Sequence, residues 1–279
     1  MRTLEHIGRV GMGCMPLSLG RGRERGLARE TIHAALDAEV VLFDTADAYS
    51  TGEGDFGHNE RLLAQALAGR REHAFVVATK GGHTRPGGRW ELDGSPDYLK
   101  AACEASLRRL GVESIDLYQL HRPDPKVPFA ESVGALRDLR DAGKIVHAGL
   151  SNVTVDQLVE AEAIVEIAAV QNELSLDYTA PLHNGEVEAC EQRGIPFLAW
   201  SPLGGIDSAD GASRIGAVRA AADRHGVSVQ QVVLAWLLSH GEQVVPIPGA
   251  SRPESIRDSA AARELRLEPD ELARISAAV

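Results

Sequence analysis

Short apolar runs rich in Val, Ile, Leu and Phe alternate along this chain with longer stretches whose apolar residues recur every three or four positions. The first kind reads as buried strand and the second as amphipathic helix. Strands are predicted at residues 9–12, 40–43, 75–79, 114–120, 144–150, 168–170, 195–199 and 243–247. Helices are predicted at 27–38, 59–68, 95–110, 131–142, 155–162, 186–193, 214–225, 230–239 and 254–261, with a short terminal one from Pro269. Ser95-Pro96 is an entry signal, and Gly111, Gly143 and Gly194 are stop signals. Eight strands separated by helical segments are the pattern of a (β/α)8 TIM barrel. The competing fold, a doubly wound open sheet, would carry G-x-G-x-x-G after its first strand, and no such loop is present.

The length agrees with one barrel domain over residues 1–279, since such barrels take about 250 residues. A net charge of -11 and a pI near 5.4 argue against an electrostatic grip on nucleic acid or anionic membrane. The basic patch at residues 21–25 reads as a solvated loop. Cys14, Cys103 and Cys190 are far apart and form no CxxC pair, so neither a disulfide framework nor a metal site is expected. The chain shows no apolar leader and no run of about 20 apolar residues, and a cytoplasmic protein is the expectation.

The ends of the predicted strands carry the chemistry. The run at 40–43 delivers Asp44 and, just beyond, Tyr49; the next strand ends in Lys80, and the one after it in His121. In a barrel all of these open onto one face. Reduction of a carbonyl by hydride from a nicotinamide uses these types together, because a proton must reach the oxygen as charge develops on it. A phenol is a poor acid at its reference pKa of about 10, and a lysine ammonium within reach favours its phenolate. Asp44 would keep Lys80 charged and oriented, and His121 would bond the substrate oxygen. A phosphate-binding barrel isomerase leaves this combination unexplained.

Across nearly its whole length the chain resembles an aldo-keto reductase. The matching pieces are LFDTADAY, ATKGG around Lys80, LYQLHRPD around His121, GLSNV around Asn152, VQNELS around Gln171, AWSPLGG after the seventh strand and IPGASRPES near the end. The resemblance implies a catalytic tetrad of Asp44, Tyr49, Lys80 and His121, with Tyr49 as proton donor. It also implies a cofactor site. Ser151, Asn152 and Gln171 match positions that bind the nicotinamide carboxamide. Trp200 falls where the family usually stacks a Tyr under the ring, and Ser201, Pro202, Leu203 and Gly204 match the pyrophosphate loop. Gly13, Cys14, Asp44, Pro248, Gly249, Ser251, Arg252, Ser255, Asp258 and Ser259 complete the expected cofactor set. The last loop departs from the best-known members. Their Lys and Arg contacts to the adenosine 2'-phosphate would fall at Gly249 and Ser255, and an adenine-contacting Asn at Ser259. Arg252, beside Ser251, is left to hold the phosphate. NADPH is therefore the expected cofactor, with NADH as the second option.

The substrate expectation is a small carbonyl compound meeting Tyr49, His121 and Trp90, the last either an aromatic wall or a loop anchor. Loops at 50–58, 82–94 and 206–213 would set its identity. Only two short helices follow Arg252, so an open pocket with broad aldehyde acceptance is expected. The GLSNVT and VQNE segments also resemble pyridoxal reductases of the family, which makes pyridoxal the named alternative. A second class is a weakly catalytic cofactor-sensing partner, since similar barrels serve as potassium-channel subunits. Oligomeric state is not legible, a monomer being the default.

Overall fold

The computed structural model describes residues 4–20, 23, 26–70, 74–204 and 216–279. The expected loop at 206–213, Gly205, the first residues of the helix expected at 214–225 and all of the basic patch but Arg23 lie outside them. Among the described residues, eight strands form one sheet in the order β1 (Met12–Gly13), β2 (Leu42–Asp44), β3 (Val76–Gly81), β6 (Ile115–Leu120), β7 (Ile145–Ser151), β8 (Ile167–Glu173), β9 (Phe197–Trp200) and β10 (Val244–Pro246). Every pairing in it is parallel. Two further strands, β4 (His83–Thr84) and β5 (Glu91–Leu92), form a separate antiparallel hairpin. The ring closes between its first and last strands through a parallel bridge of Gly13 to Gly249, with Gly11 N–H on Pro246 O and Gly13 N–H on Pro248 O, both at 3.0 Å. Glycine is required at this seam, because a Cβ on Gly13 would fall 2.8 Å from Ile247 O.

Strand alternation places the site. Leu42 points into the barrel, Phe43 outward into the helix layer, and Asp44 inward again. On β3, Val76 and Ala78 face inward, and Lys80 stands one step further along the same side. On β8, Ala169 faces inward and Gln171 follows it. Each inward row is thus apolar at depth and polar at its carboxyl end. Leu4 and Ile7 pack into the same interior against Leu117, Leu198, Val245 and Ile247.

The outer layer is fixed by local signals that agree with the sequence. The helix Pro96–Leu110 begins at Ser95, whose Oγ accepts from Tyr98 N–H, and ends at Gly111 with φ 68°. The helix Val155–Glu162 starts with a capping box of Thr154 and Gln157. Other boundaries moved. The first strand, expected at 9–12, is confined to Met12–Gly13, and the Arg9 side chain bonds the carbonyls of Leu238 at 2.9 Å and Gly241 at 3.0 Å. β3 runs on through Lys80 to Gly81, so the lysine lies within a strand rather than after it.

Candidate active site

Lys80 is wholly buried at the end of β3, and the three N–H groups of its ammonium serve four acceptors, one of them shared. Both oxygens of Asp44 accept at 2.7 Å, Thr45 O at 2.9 Å and Tyr49 Oη at 3.1 Å. Burial works against the lysine charge, but the Asp44 carboxylate and the Tyr49 phenol outweigh it and hold the ammonium above its usual range. Asp44 is held in turn by Gln171 Nε2 at 2.8 Å. That bond crosses 127 residues of sequence and joins the expected tetrad to the expected carboxamide site.

Tyr49 and His121 are the members that reach the surface of this cluster, at 8% and 9% exposure against 2% for Asp44 and none for Lys80. Their rings meet edge to face, with centroids 5.7 Å apart. Burial raises the phenol, the Lys80 charge lowers it, and the balance leaves Tyr49 pushed up to about 12. His121 is pushed well below its ordinary value, first by burial and then by the charges of Lys80 and Arg122, so its imidazole is neutral near pH 7. Its Nδ1 is buried without a hydrogen-bond partner among the described residues. In the Nε2–H tautomer Nδ1 is an unpaired acceptor rather than a stranded N–H, and that tautomer is the one assigned.

Around these four stand Ser151, at the end of β7, Asn152 just after it, and Gln171 on β8. Ser151 pairs in register with Gln171. Asn152, at φ 61°, turns its Nδ2 onto His121 O at 3.0 Å and Ser151 Oγ at 2.9 Å. Gln171 Oε1 and Asn152 Oδ1 accept no bond among the described residues, and the Ser151 hydroxyl keeps its proton to donate. Trp200 ends β9 partly exposed, and Ser201, at φ 55°, begins a turn closed by Gly204 N–H on Ser201 O at 2.9 Å. Pro202 in this turn is buried, and Leu203 half-buried. Gly249 and Arg252 are exposed beyond β10, with Pro248 buried behind them and Ser251 half-buried.

Two expected cofactor residues carry bonds within the protein. Cys14 is wholly buried. Its N–H bonds Asp44 O at 2.8 Å, its carbonyl takes Asn59 Nδ2 at 2.8 Å, and burial pushes its thiol far above the usual range. It braces the floor of the site. Asp258 spends both oxygens, each at 2.6 Å, on Ser228 Oγ and Gln231 Nε2, tying the helix Pro253–Ala261 to the helix Val229–Leu238. Ser255 sits beside Arg252, with Arg252 Nε 3.4 Å from its Oγ, and Ser259 is buried.

The sequence expectation omitted His83 and Arg85. His83 stands edge to face with His121 at 4.5 Å and with Trp90 at 5.3 Å, on the hairpin within the loop expected at 82–94. A histidine three residues past Lys80, after two glycines, is the one signal that could have marked it.

Comparison with known proteins agrees with this geometry. The profile of the Aldo/keto reductase family matches residues 9–279. An uncharacterised oxidoreductase of Schizosaccharomyces pombe is 33% identical over 275 residues, covering 96% of this chain and 86% of that protein. A thermostable aldo-keto reductase solved with the inhibitor epalrestat superposes with a TM-score of 0.83 at 27% identity, over 100% of this chain and 97% of the other. An aldo/keto reductase from Klebsiella pneumoniae, solved with NADP and acetate, gives 0.80 at 26% identity, over 97% and 91%. Strand-end chemistry and whole-chain similarity lead to the same assignment: this chain belongs to the Aldo/keto reductase family and is an oxidoreductase.

Proposed function

We propose that the protein reduces aldehydes and ketones to alcohols with NADPH, and that Tyr49 supplies the proton. The observation that carries this reading is the 3.1 Å contact from Lys80 Nζ to Tyr49 Oη, made by a lysine whose charge Asp44 holds from below. A phenol pushed up to about 12 keeps its proton at neutral pH and is present in the acid form that reduction needs. As that proton leaves, the adjacent ammonium stabilises the phenolate. Neutral His121 donates from Nε2 to the carbonyl oxygen and fixes its position, and Trp90 walls the pocket beyond it.

The residues present fit a nicotinamide dinucleotide. The free acceptors of Gln171 and Asn152 and the Ser151 hydroxyl suit a carboxamide, which both donates and accepts. The Trp200 face and the turn from Ser201 to Gly204 offer stacking and close backbone approach, and Gly249 is exposed beside the seam between β1 and β10. The bound cofactor supplies the hydride. Arg252 is exposed and has no carboxylate partner among the described residues, which suits a 2'-phosphate. The Klebsiella pneumoniae relative, solved with NADP, supports the same choice.

The test is loss of NADPH absorbance with 4-nitrobenzaldehyde and pyridoxal, for wild type beside Tyr49→Phe. Turnover is expected in wild type and not in the variant, with NADPH binding kept in both. NADPH binding without turnover of any carbonyl by wild type would favour a cofactor-sensing role instead.

A further inference from the structure

Arg85 is unusual among the cations of this molecule. It is only 6% exposed, yet it has no carboxylate partner among the described residues, and its Nε has no partner there at all. Burial lowers its pKa from the ordinary arginine value. A buried, uncompensated guanidinium persists where its contacts serve a geometry. Those contacts are specific. The guanidinium carbon lies 3.9 Å from the centroid of the Trp90 ring. Nη2 donates to Gly88 O, at the tip of the hairpin, at 2.8 Å, and Nη1 lies 3.5 Å from Ala48 O, on the residue before Tyr49. Arg85 thus ties the β4–β5 hairpin to the loop that carries the phenol. A Cβ on Gly88 would lie 3.2 Å from Thr51 O, so hairpin tip and catalytic loop already touch.

What the tie holds in place is a row of rings. Trp90, 44% exposed, meets His83 edge to face; His83 meets His121 in the same way, and His121 meets Tyr49. His83 is itself anchored by Tyr98 Oη on its carbonyl at 3.0 Å and by a contact of its Nδ1 with Glu91 O at 3.1 Å. Burial lowers both imidazoles below their usual range, so the row presents neutral aromatic surface. Charges near it are Arg122, exposed beyond His121; Glu173, half-buried at the end of β8; and Asp124, which accepts from the N–H groups of Gly94 and Lys126.

We propose that Arg85 is a positioning residue that fixes Trp90 as the wall of an aryl subsite, so that the favoured substrates carry their carbonyl on a planar aromatic or heteroaromatic ring. This deepens the carbonyl-reductase reading and rests on it for turnover. Trp90 without its cation would keep its area but lose its orientation, and an aliphatic aldehyde has no ring to register the change.

The experiment measures kcat and KM for 4-nitrobenzaldehyde and butanal in wild type, Arg85→Gln, Arg85→Lys, Trp90→Ala and the Arg85→Gln/Trp90→Ala double variant. Wild type is expected to favour the aryl aldehyde. Arg85→Gln should raise the aryl KM relative to the butanal KM by about fivefold, in line with one desolvated cation–π contact, with the kcat ratio unmoved. Arg85→Lys should restore part of the difference, and Arg85→Gln should add nothing in the Trp90→Ala background. Equal effects on both aldehydes, or additivity with Trp90→Ala, would overturn the proposal. Binding of 4-nitrobenzyl alcohol, followed by fluorescence quenching, separates the two readings. Binding that depends on Arg85 and Trp90 without turnover would sink the reductase reading and leave the subsite standing. Turnover with alcohol binding insensitive to Arg85 would do the reverse.

Discussion

Replacing Lys80 by Met isolates what the buried cluster contributes to the fold. The lysine is wholly buried, the Asp44 side chain is 3% exposed, and Lys80 Nζ provides the bonds to both Asp44 oxygens. In Lys80→Met the carboxylate keeps only Gln171 Nε2 as a side-chain donor among the described residues. Breaking a buried pair from one side costs about 3–5 kcal/mol, because the remaining charge stays desolvated. For a chain of this size that lowers the melting temperature by on the order of 10 °C. Removing both charges, in Asp44→Asn/Lys80→Met, leaves no stranded ion and should recover about 2 kcal/mol or more of the loss. The assay is urea denaturation followed by tryptophan fluorescence at pH 7, with the two singles and the double measured together. A single variant at least as stable as the double would refute the reasoning, since the stability of the pair would then not depend on compensation of a buried charge.

Three further outcomes follow from the site and its surroundings. Because Tyr49 is pushed up to about 12, its phenol form dominates through pH 6–10 and its phenolate fraction rises about tenfold per pH unit there, so alcohol oxidation should climb steeply with pH while reduction does not; parallel pH profiles would remove Tyr49 as the titrating group. Asp47 is fully buried, its carboxylate oxygens lack partners among the described residues, and burial followed by repulsion from Glu60 raises its pKa well above the ordinary range. The folded chain therefore holds a proton that the unfolded chain releases near pH 4, and stability falls as pH rises from there toward the folded pKa; Asp47→Asn should flatten that fall, read as urea midpoints at pH 5 and pH 8. Arg252→Ala should weaken NADPH binding about tenfold more than NADH binding, by loss of a charge-assisted contact to the 2'-phosphate, and equal losses in paired titrations would free Arg252 of that role.

The barrel and its reactive rim were legible because the two signals coincide in sequence. Three successive apolar runs end in an ionisable residue that the alternation aims inward, so Asp44, Lys80 and His121 could be assigned to one face without coordinates. The bond from Gln171 to Asp44 was not legible, since nothing local links residues 127 positions apart. The β4–β5 hairpin escaped notice because strands of two polar or half-buried residues have no periodicity to detect. The internal bonds of Cys14 and Asp258 were not legible for a third reason. A motif position says which residue stands near a ligand in a family, but not whether its atoms are already committed, and here both are bonded within the protein. Arg85 was missed because a lone arginine among glycines and proline reads as solvated, whereas the indole five residues on covers it.

The seam between β1 and β10 gives the ring a latch. Where β6 and β7 are held along most of their length, closure rests on a few bonds offered by Gly11 and Gly13 to carbonyls that flank Ile247 and Gly249. Local opening takes the path of fewest bonds, so amide hydrogens at Gly11 and Gly13 exchange with solvent through a smaller fluctuation than those of the β6–β7 ladder. Gly249 also lies in the loop proposed to meet the dinucleotide, so on that proposal a ligand seated there would brace the latch. Cofactor capture and barrel integrity would then be coupled through one strand of two residues.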